Sequence, residues 1–254
     1  MLLPRTNQIL KAAIEEFIRS GELVSSGKLY RRYNFGIKPA MIRMELERLT
    51  RDGYLEQPHH SSGRMPSDLG YELFIDEVMG KDNTVTDVSH RPSGKLARGG
   101  SKVVLKINRR RECDCAELVR CFERCAWDEL LGTLADDLGA LGVAREARTG
   151  TVVKEGLNCL IDHLEWETPK EIRDVIRDFV EIDNRLDELQ NRLHRTGELK
   201  AFVGGKSPVT RSECLAVVAG EYKTNGGEVL LFLVGPKRMD YKKAVRIFRS
   251  FSNV

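Results

Sequence analysis

The stretch from Ser25 to Gly70 constrains the fold more than any other part of the chain. Ser25 and Ser26 are both good N-caps and predict the start of a short helix. A turn follows at Asn34-Phe35-Gly36, because Asn and Gly readily adopt positive φ angles. Pro39 suits the first turn of a second helix, where its missing N–H is not needed. The apolar residues of that helix share one face at helical spacing: Ile42, Leu46 and Leu49.

A hairpin is predicted directly after the second helix. Gly53 ends the helix, residues 54–57 have strand composition, and residues 58–66 form a loop. A helix-turn-helix followed by such a hairpin is a winged helix, which lays its second helix in the major groove of DNA. The candidate DNA-binding residues lie at both helix starts, on the outer side of the second helix and in the hairpin loop: Ser25, Ser26, Lys28, Lys38, Ala40, Met41, Arg43, Met44, Arg48, His59, His60, Ser61 and Arg64.

The local charge agrees with DNA binding. Residues 25–64 hold eight Lys and Arg against four Asp and Glu. Phosphate binding depends on such a local excess rather than on the net charge of +3 of the whole chain. The alternative is a solvated basic face on a winged helix that binds protein, because one fold serves several functions.

Two motifs in this region resemble one known family. RYN-x-G-I…A-x-IR-x-E-x-x-x-L begins at Arg32, and GYLEQPH…SGR-x-P-S-D-x-GY begins at Gly53. Together they resemble the heat-inducible transcription repressor family HrcA, as does G-P-x-R-M-D-Y at Gly235–Tyr241. The resemblance implies a winged-helix repressor of chaperone genes that binds an inverted-repeat operator as a homodimer. It also implies the chaperonin as a partner, which keeps the repressor competent until heat stress diverts it.

Composition excludes several other classes of protein. With 41% hydrophobic and 31% charged residues, the chain of 254 residues is typical of a soluble globular protein. No apolar run approaches the roughly 20 residues that a membrane span needs. The first residues lack the apolar core of a signal peptide, so a cytoplasmic location with reduced cysteines is expected. No P-loop, nucleophile elbow or carboxylate pair stands out, so neither an enzyme nor a cofactor is expected.

The sequence divides into three regions. Residues 1–79 form the predicted winged-helix domain, with a first helix at 5–20 and a short closing helix after Gly70. Residues 80–111 form a basic linker, which either adds phosphate contacts or is merely solvated. Residues 112–254 form a regulatory and dimerisation domain, which by resemblance is GAF-like. It is expected to be a reduced version, because the strands and insert that most members carry near residues 144–151 are missing.

Four cysteines lie at the head of this second domain. They lie in the first part of a helix predicted to run from Glu112 to Val143: Cys113, Cys115, Cys121 and Cys125. Their spacing is not a common zinc pattern, and buried inert thiols are the simpler interpretation. A metal- or thiol-responsive winged-helix repressor using this cluster is the alternative function.

A long helix dominates the rest of the chain. Thr168 and Glu171 form a capping box around Pro169, and the predicted helix ends at Gly197. Its apolar seam either packs within the domain, on its own sheet or on the helix predicted from Glu112 to Val143, or forms a dimer contact. The seam residues are Ile172, Val175, Phe179, Ile182, Leu186, Leu189 and Leu193. Strands are predicted at 199–204, 214–222 and 228–234, and the turn at Asn225-Gly226 joins the last two as a hairpin. A closing helix capped by Asp240 completes an α+β fold.

The start of the second winged-helix helix departs from the family. Most members have a pattern like S-S-A-T-I-R-N-E, whereas this chain has KPAMIRME at residues 38–45. The departures fall on the side of the helix that reads bases. Methionine has no polar group to offer a base edge, although it packs on a thymine methyl. We therefore expect an inverted repeat that differs from the usual family operator near this helix.

Overall fold

The fold combines helices with antiparallel strands and is α+β, as predicted. The computed structural model describes residues 2–59, 62–80, 115–164, 168–194 and 199–252. The described residues form two compact units, and the boundary between them follows Phe74. None of the helices in this part of the chain is long and apolar enough to cross a membrane.

The first unit contains three helices, a two-stranded hairpin and the start of a fourth helix. Its elements are α1 (Pro4–Ser20), α2 (Ser26–Arg32), α3 (Pro39–Arg51), β1 (Leu55–Glu56), β2 (Met65–Pro66) and α4 (Asp68–Gly80). Gly21 ends α1 at a φ of 67°, and the Ser25 side chain caps α2 by accepting a hydrogen bond from the N–H of Lys28. Gly36 forms the turn before α3 at a φ of 66°. The predicted order of helix, turn, helix and hairpin is confirmed.

Side-chain burial and backbone pairing hold these elements together. The predicted inner face of α3 is fully buried: Ile42, Leu46 and Leu49 are each 0% exposed. Thr6 of α1 donates a hydrogen bond to the carboxylate of Glu45 on α3 at 2.9 Å. The hairpin joins the segment before α2, because Val24 and Arg64 exchange backbone hydrogen bonds of 2.8 and 2.9 Å. The outer face of α3 is therefore held in a fixed orientation relative to the hairpin.

The second unit is a five-stranded antiparallel sheet with helices on both faces. Its helices are α5 (Cys115–Glu123), α6 (Trp127–Leu138), α7 (Leu157–His163), α8 (Pro169–Glu181), α9 (Leu186–His194) and α10 (Tyr241–Phe251). Its strands are β3 (Leu141–Glu146), β4 (Val152–Glu155), β5 (Lys200–Val203), β6 (Leu215–Thr224) and β7 (Gly227–Pro236). The strand order is β4-β3-β7-β6-β5.

Alternating residues of β6 divide the core into two layers. Val217 and its neighbours pack against α7, α8 and α9, whereas Tyr222 packs against aromatic rings of α5 and α10. The β6–β7 hairpin closes through Asn225 and Gly226, as predicted. Asp240 caps α10 by accepting a hydrogen bond from the N–H of Lys243 at 3.0 Å, also as predicted.

The prediction of a single helix from Glu112 to Val143 is wrong. Two helices occupy its described part, and the break between them includes Cys125 at a φ of 53°. Gly139, at a φ of 61°, ends α6, and the following residues enter strand β3 rather than continuing the helix. β3 and β4 were not predicted, so the sheet has more strands than the sequence indicated.

The long helix after Thr168 forms, but its seam does not face outward. Thr168 and Glu171 make the predicted capping box, and a 3-10 segment at Ile182–Arg185 separates α8 from α9. The predicted helix end at Gly197 lies outside the described residues. Five seam residues are at most 2% exposed and belong to the core beneath the sheet: Val175, Ile182, Leu186, Leu189 and Leu193. Phe179 packs against the same core and Ile172 is 39% exposed.

The seam therefore packs on the domain's own sheet, the alternative considered above. The five buried seam residues cannot form the predicted dimer contact, because a second chain could reach them only if this chain unfolded. Besides Ile172 of the seam, α8 exposes two apolar residues that do not belong to the seam, Ile176 and Val180.

Candidate nucleic-acid interface

The outer face of α3 carries the predicted DNA-binding residues of that helix. Because the inner face is buried, the intervening positions point to solvent. The exposed positions at its start are Lys38, Pro39, Ala40, Met41, Arg43 and Met44. Met44 is 61% exposed and Met41 is 40% exposed. The helix thus presents an accessible surface with apolar residues beside cations.

The cations at the start of α3 are not neutralised by any residue that the structure describes. Lys38 and Arg43 form no ion pair with any described residue, and Arg43 does not pair with Glu47 one turn later. Near the end of α3, Arg48 lies 3.6 Å from the carboxylate of Asp52 and is only half-exposed. Positive charge is therefore most available near the N-terminal end of the helix, where helix dipoles also favour anions.

The cations of α2 are placed differently. Lys28 Nζ lies 2.9 Å from a carboxylate oxygen of Glu22 and 3.4 Å from one of Glu16. Arg32 Nε lies 3.4 Å from the carboxylate of Glu16, which also pairs with Arg19. The Glu16 side chain is 1% exposed, so α1 supplies a buried acid to α2. Glu16 was not predicted as a site residue, because one acid among the helical residues of α1 gives no distinct signal in the sequence.

The two serines at the start of α2 differ in exposure and in role. Ser25 uses its side-chain oxygen to cap the helix, although it remains exposed. Ser26 is buried, so its prediction as a DNA-binding residue is wrong for the side chain. The sequence did not distinguish them, because both are acceptable N-caps.

The hairpin loop is held by its own hydrogen bonds. Ser62 Oγ accepts a hydrogen bond from the N–H of His59 at 3.0 Å and donates one to the His59 carbonyl at 2.6 Å. His59 is exposed, whereas His60 and Ser61 lie outside the described residues. Arg64 is half-buried, and its Nε is a buried donor with no hydrogen-bond acceptor among the residues that the structure describes.

The cysteine cluster gives no metal centre in the described part of the chain. Within it, no three His, Cys, Asp or Glu side chains come close enough to hold an ion. Cys121 is buried, and burial raises the pKa of its thiol, which makes the reactive thiolate harder to form. Cys115 and Cys125 are half-buried, and Cys113 lies outside the described residues, as does the predicted basic linker from residue 81 onward.

Comparison with known proteins agrees with the resemblance found in the sequence. A sequence model described as the HrcA protein C terminal domain matches residues 113–245. The heat-inducible transcription repressor HrcA of Symbiobacterium thermophilum is 47% identical over 79 residues, 31% of this chain and 23% of that protein. The repressor of the same name from Moorella thermoacetica is 48% identical over 75 residues, 30% of this chain and 22% of that protein. The matched segment thus spans less than a quarter of these relatives.

One solved structure shares the fold over nearly its whole length. A crystal structure described as a hypothetical protein superimposes with a TM-score of 0.66 at 17% identity, covering 100% of this chain and 97% of that one. The likeness concerns the fold alone at this identity. The family match extends over more than half of the 254 residues, so the chain belongs to the HrcA family.

Proposed function

We propose that the chain is a transcriptional repressor whose residues 1–79 form a winged helix-turn-helix domain that binds double-stranded DNA. α3 is the recognition helix in the major groove, and the β1–β2 hairpin is the wing beside it. The observation that carries the proposal is the outer face of α3, where Lys38 and Arg43 are exposed and have no ion-pair partner among the described residues. The hairpin adds Arg64, a half-buried cation.

The remaining parts of the proposal rest on membership of the HrcA family. Residues 112–254 are a reduced GAF-like regulatory domain, and residues 80–111 are a basic linker. The protein represses heat-shock genes in the cytoplasm by binding an inverted-repeat operator as a homodimer, and the chaperonin is its partner in the stress response. No catalytic step is assigned to it.

Titration of a labelled DNA duplex at several salt concentrations tests the DNA-binding proposal. Each phosphate contact contributes about 0.9 to the slope of log affinity against log salt. Arg43→Ala and Arg64→Ala should each weaken binding to all sequences and make this slope shallower by about one unit. Arg173→Ala is the matched control, because Arg173 is an exposed arginine of the second unit.

Two outcomes would contradict this part of the proposal. No binding to any duplex at low salt would favour a winged helix that contacts protein instead. Equal effects of Arg43→Ala and Arg173→Ala would mean that α3 is not the DNA-binding element.

Dimerisation needs a separate measurement. A winged helix reads only a few base pairs, so repressors gain specificity by pairing half-sites. Sedimentation at micromolar concentration, with and without an inverted-repeat duplex, should give a dimer in at least the DNA complex. A single protomer on a duplex that contains both half-sites would refute the dimer.

The chaperonin as a partner is tested by recovery of DNA binding. Protein refolded from urea should regain more DNA-binding activity with chaperonin and ATP than with ATP alone. Equal recovery in both samples would remove this partner from the proposal while leaving DNA binding intact.

A further inference from the structure

Two methionines occupy the outer face of α3 where polar residues are the rule. Met44 lies near the centre of that face and is 61% exposed, and Met41 lies at its edge and is 40% exposed. Ala40, one helical turn before Met44, is exposed too. The buried face of α3 is formed by three fully buried aliphatic residues on the opposite side, so these methionines are not part of the hydrophobic core.

The charges around the methionines indicate what kind of ligand covers them. Lys38 and Arg43 flank the pair, are exposed and have no ion-pair partner in the part of the chain that the structure describes. Glu47, the exposed acid on this face, lies one turn farther along the helix than Arg43. An apolar patch beside unpaired cations is complementary to a polyanion that carries apolar groups, rather than to an apolar peptide.

We propose that Met41 and Met44 recognise the C5 methyl groups of thymines in the major groove, an inference that rests on the proposed DNA binding. In that groove the thymine methyl is the apolar group that a base pair presents, and the other edge groups are hydrogen-bond donors or acceptors. A thioether side chain over a guanine or cytosine edge would shield polar groups without pairing them, which is unfavourable. Methionine is flexible and adapts its contact to an irregular surface.

The helix geometry makes contact with neighbouring bases feasible. Three residues of an α-helix rise about 4.5 Å, which is close to the spacing of about 3.4 Å between stacked bases. Met41 and Met44 are three residues apart, so the two side chains can reach methyls on adjacent or nearly adjacent base pairs. The preferred half-site therefore contains thymines at one or two neighbouring positions facing the start of α3.

Replacement of thymine by deoxyuridine tests this, because it removes only the C5 methyl. Duplexes are first selected from a random pool with the full-length chain, and the preferred one is remade with each thymine replaced in turn. We expect one or two positions per half-site at which uracil weakens binding about fourfold, the effect of losing one buried methyl-sized group. In the Met41→Ala/Met44→Ala double variant, thymine and uracil duplexes should bind equally.

Matched variants separate methyl recognition from charge. Arg43→Ala should weaken binding to thymine and uracil duplexes by the same factor, so their ratio stays as in the wild type. Val180→Ala is the matched control, because Val180 is an apolar residue of α8 that is 68% exposed. It should change neither the affinity for DNA nor the ratio of thymine to uracil binding. These side chains are exposed, and circular dichroism checks that each variant is folded.

The duplex titrations test methyl recognition and DNA binding separately. Duplex binding with equal affinity for thymine and uracil at every position would refute methyl recognition and leave DNA binding standing. The same holds if the double methionine variant keeps the wild-type ratio. Absence of binding to any duplex at low salt would overturn the proposed function, and this inference with it.

Discussion

Replacing Asp178 by alanine should destabilise the second unit by about 3–5 kcal/mol, the usual cost of removing one partner of a buried ion pair. Asp178 lies in α8, and its side chain is 5% exposed. Its carboxylate accepts hydrogen bonds from Arg185 Nη1 at 2.8 Å and from the backbone N–H of Arg211 at 2.9 Å. Ser212 adds its backbone N–H at 2.8 Å and its hydroxyl at 2.6 Å. Alanine offers none of these donors an acceptor, so the loop before β6 loses its attachment to α8.

Urea unfolding followed by tryptophan fluorescence measures this loss. Both tryptophans, Trp127 and Trp166, belong to the sequence of the second unit, so the signal reports that unit. Trp127 is 6% exposed and donates a hydrogen bond from Nε1 to Glu146 at 2.7 Å, so unfolding should change its emission. In a thermal scan, about 2–4 °C per kcal/mol for a domain near this size predicts a fall of about 6–20 °C in Tm.

Two further variants make the measurement specific. Asp187→Ala removes an aspartate whose side chain is 82% exposed and which pairs with Arg145, so it should cost only about 0–1 kcal/mol. Arg185→Ala, alone and combined with Asp178→Ala, gives the coupling energy between the two charges. If Asp178→Ala costs no more than Asp187→Ala, the argument from buried hydrogen bonds is wrong.

Three other predictions concern stability. Leu186→Ala should cost about 2–5 kcal/mol in the same assay because Leu186 is 1% exposed, whereas Val180→Asp should stay within about 0.5 kcal/mol; the reverse order would contradict the intrachain seam. Gly70→Ala should lower the Tm of the first unit, because its Cβ would lie 2.2 Å from a backbone carbonyl oxygen, whereas Gly132→Ala has open space and should raise stability by about 0.5–1 kcal/mol. Burial raises the pKa of Tyr33 from 10.0 to about 12. The buried, protonated phenol therefore contributes its full stabilisation to the first unit below pH 10, and this stabilisation is lost as the pH rises toward 12. Urea unfolding across this range should show a smaller loss for Tyr33→Phe, and an equal loss would refute the assignment.

Local signals explain why α3 was predictable and β3 was not. Pro39, the turn at Gly36 and apolar residues at helical spacing all lie within a few positions of one another, and they determine α3 without help from distant residues. β3 pairs with β4 on one side and β7 on the other, and four of its six residues are buried. A strand buried on both faces reads as a continuous apolar run, which periodicity does not distinguish from a buried helix.

The candidate interface was predictable only where it depends on one helix. The exposure of Lys38, Arg43 and Met44 follows from the position of the buried residues on α3, so the sequence was sufficient. The pairing of Lys28 with Glu16 depends on how α1 and α2 pack, because the two residues are on different helices. Such tertiary pairing leaves no pattern in the sequence, so Lys28 was predicted to bind DNA without regard to Glu16.

The two basic helices of the first unit differ in whether their cations form ion pairs with a buried acid. On α2, Lys28 and Arg32 both contact the Glu16 carboxylate, whose side chain is 1% exposed. To bind a phosphate, either cation would leave a buried acid with less compensation, which is costly. Lys38, directly before α3, and Arg43 on α3 have no such partner among the described residues, so binding a phosphate would break no ion pair. Lys28→Ala should therefore lower the stability of the first unit but leave the salt slope of DNA binding unchanged, and a slope shallower by one unit would show that Lys28 contacts phosphate after all.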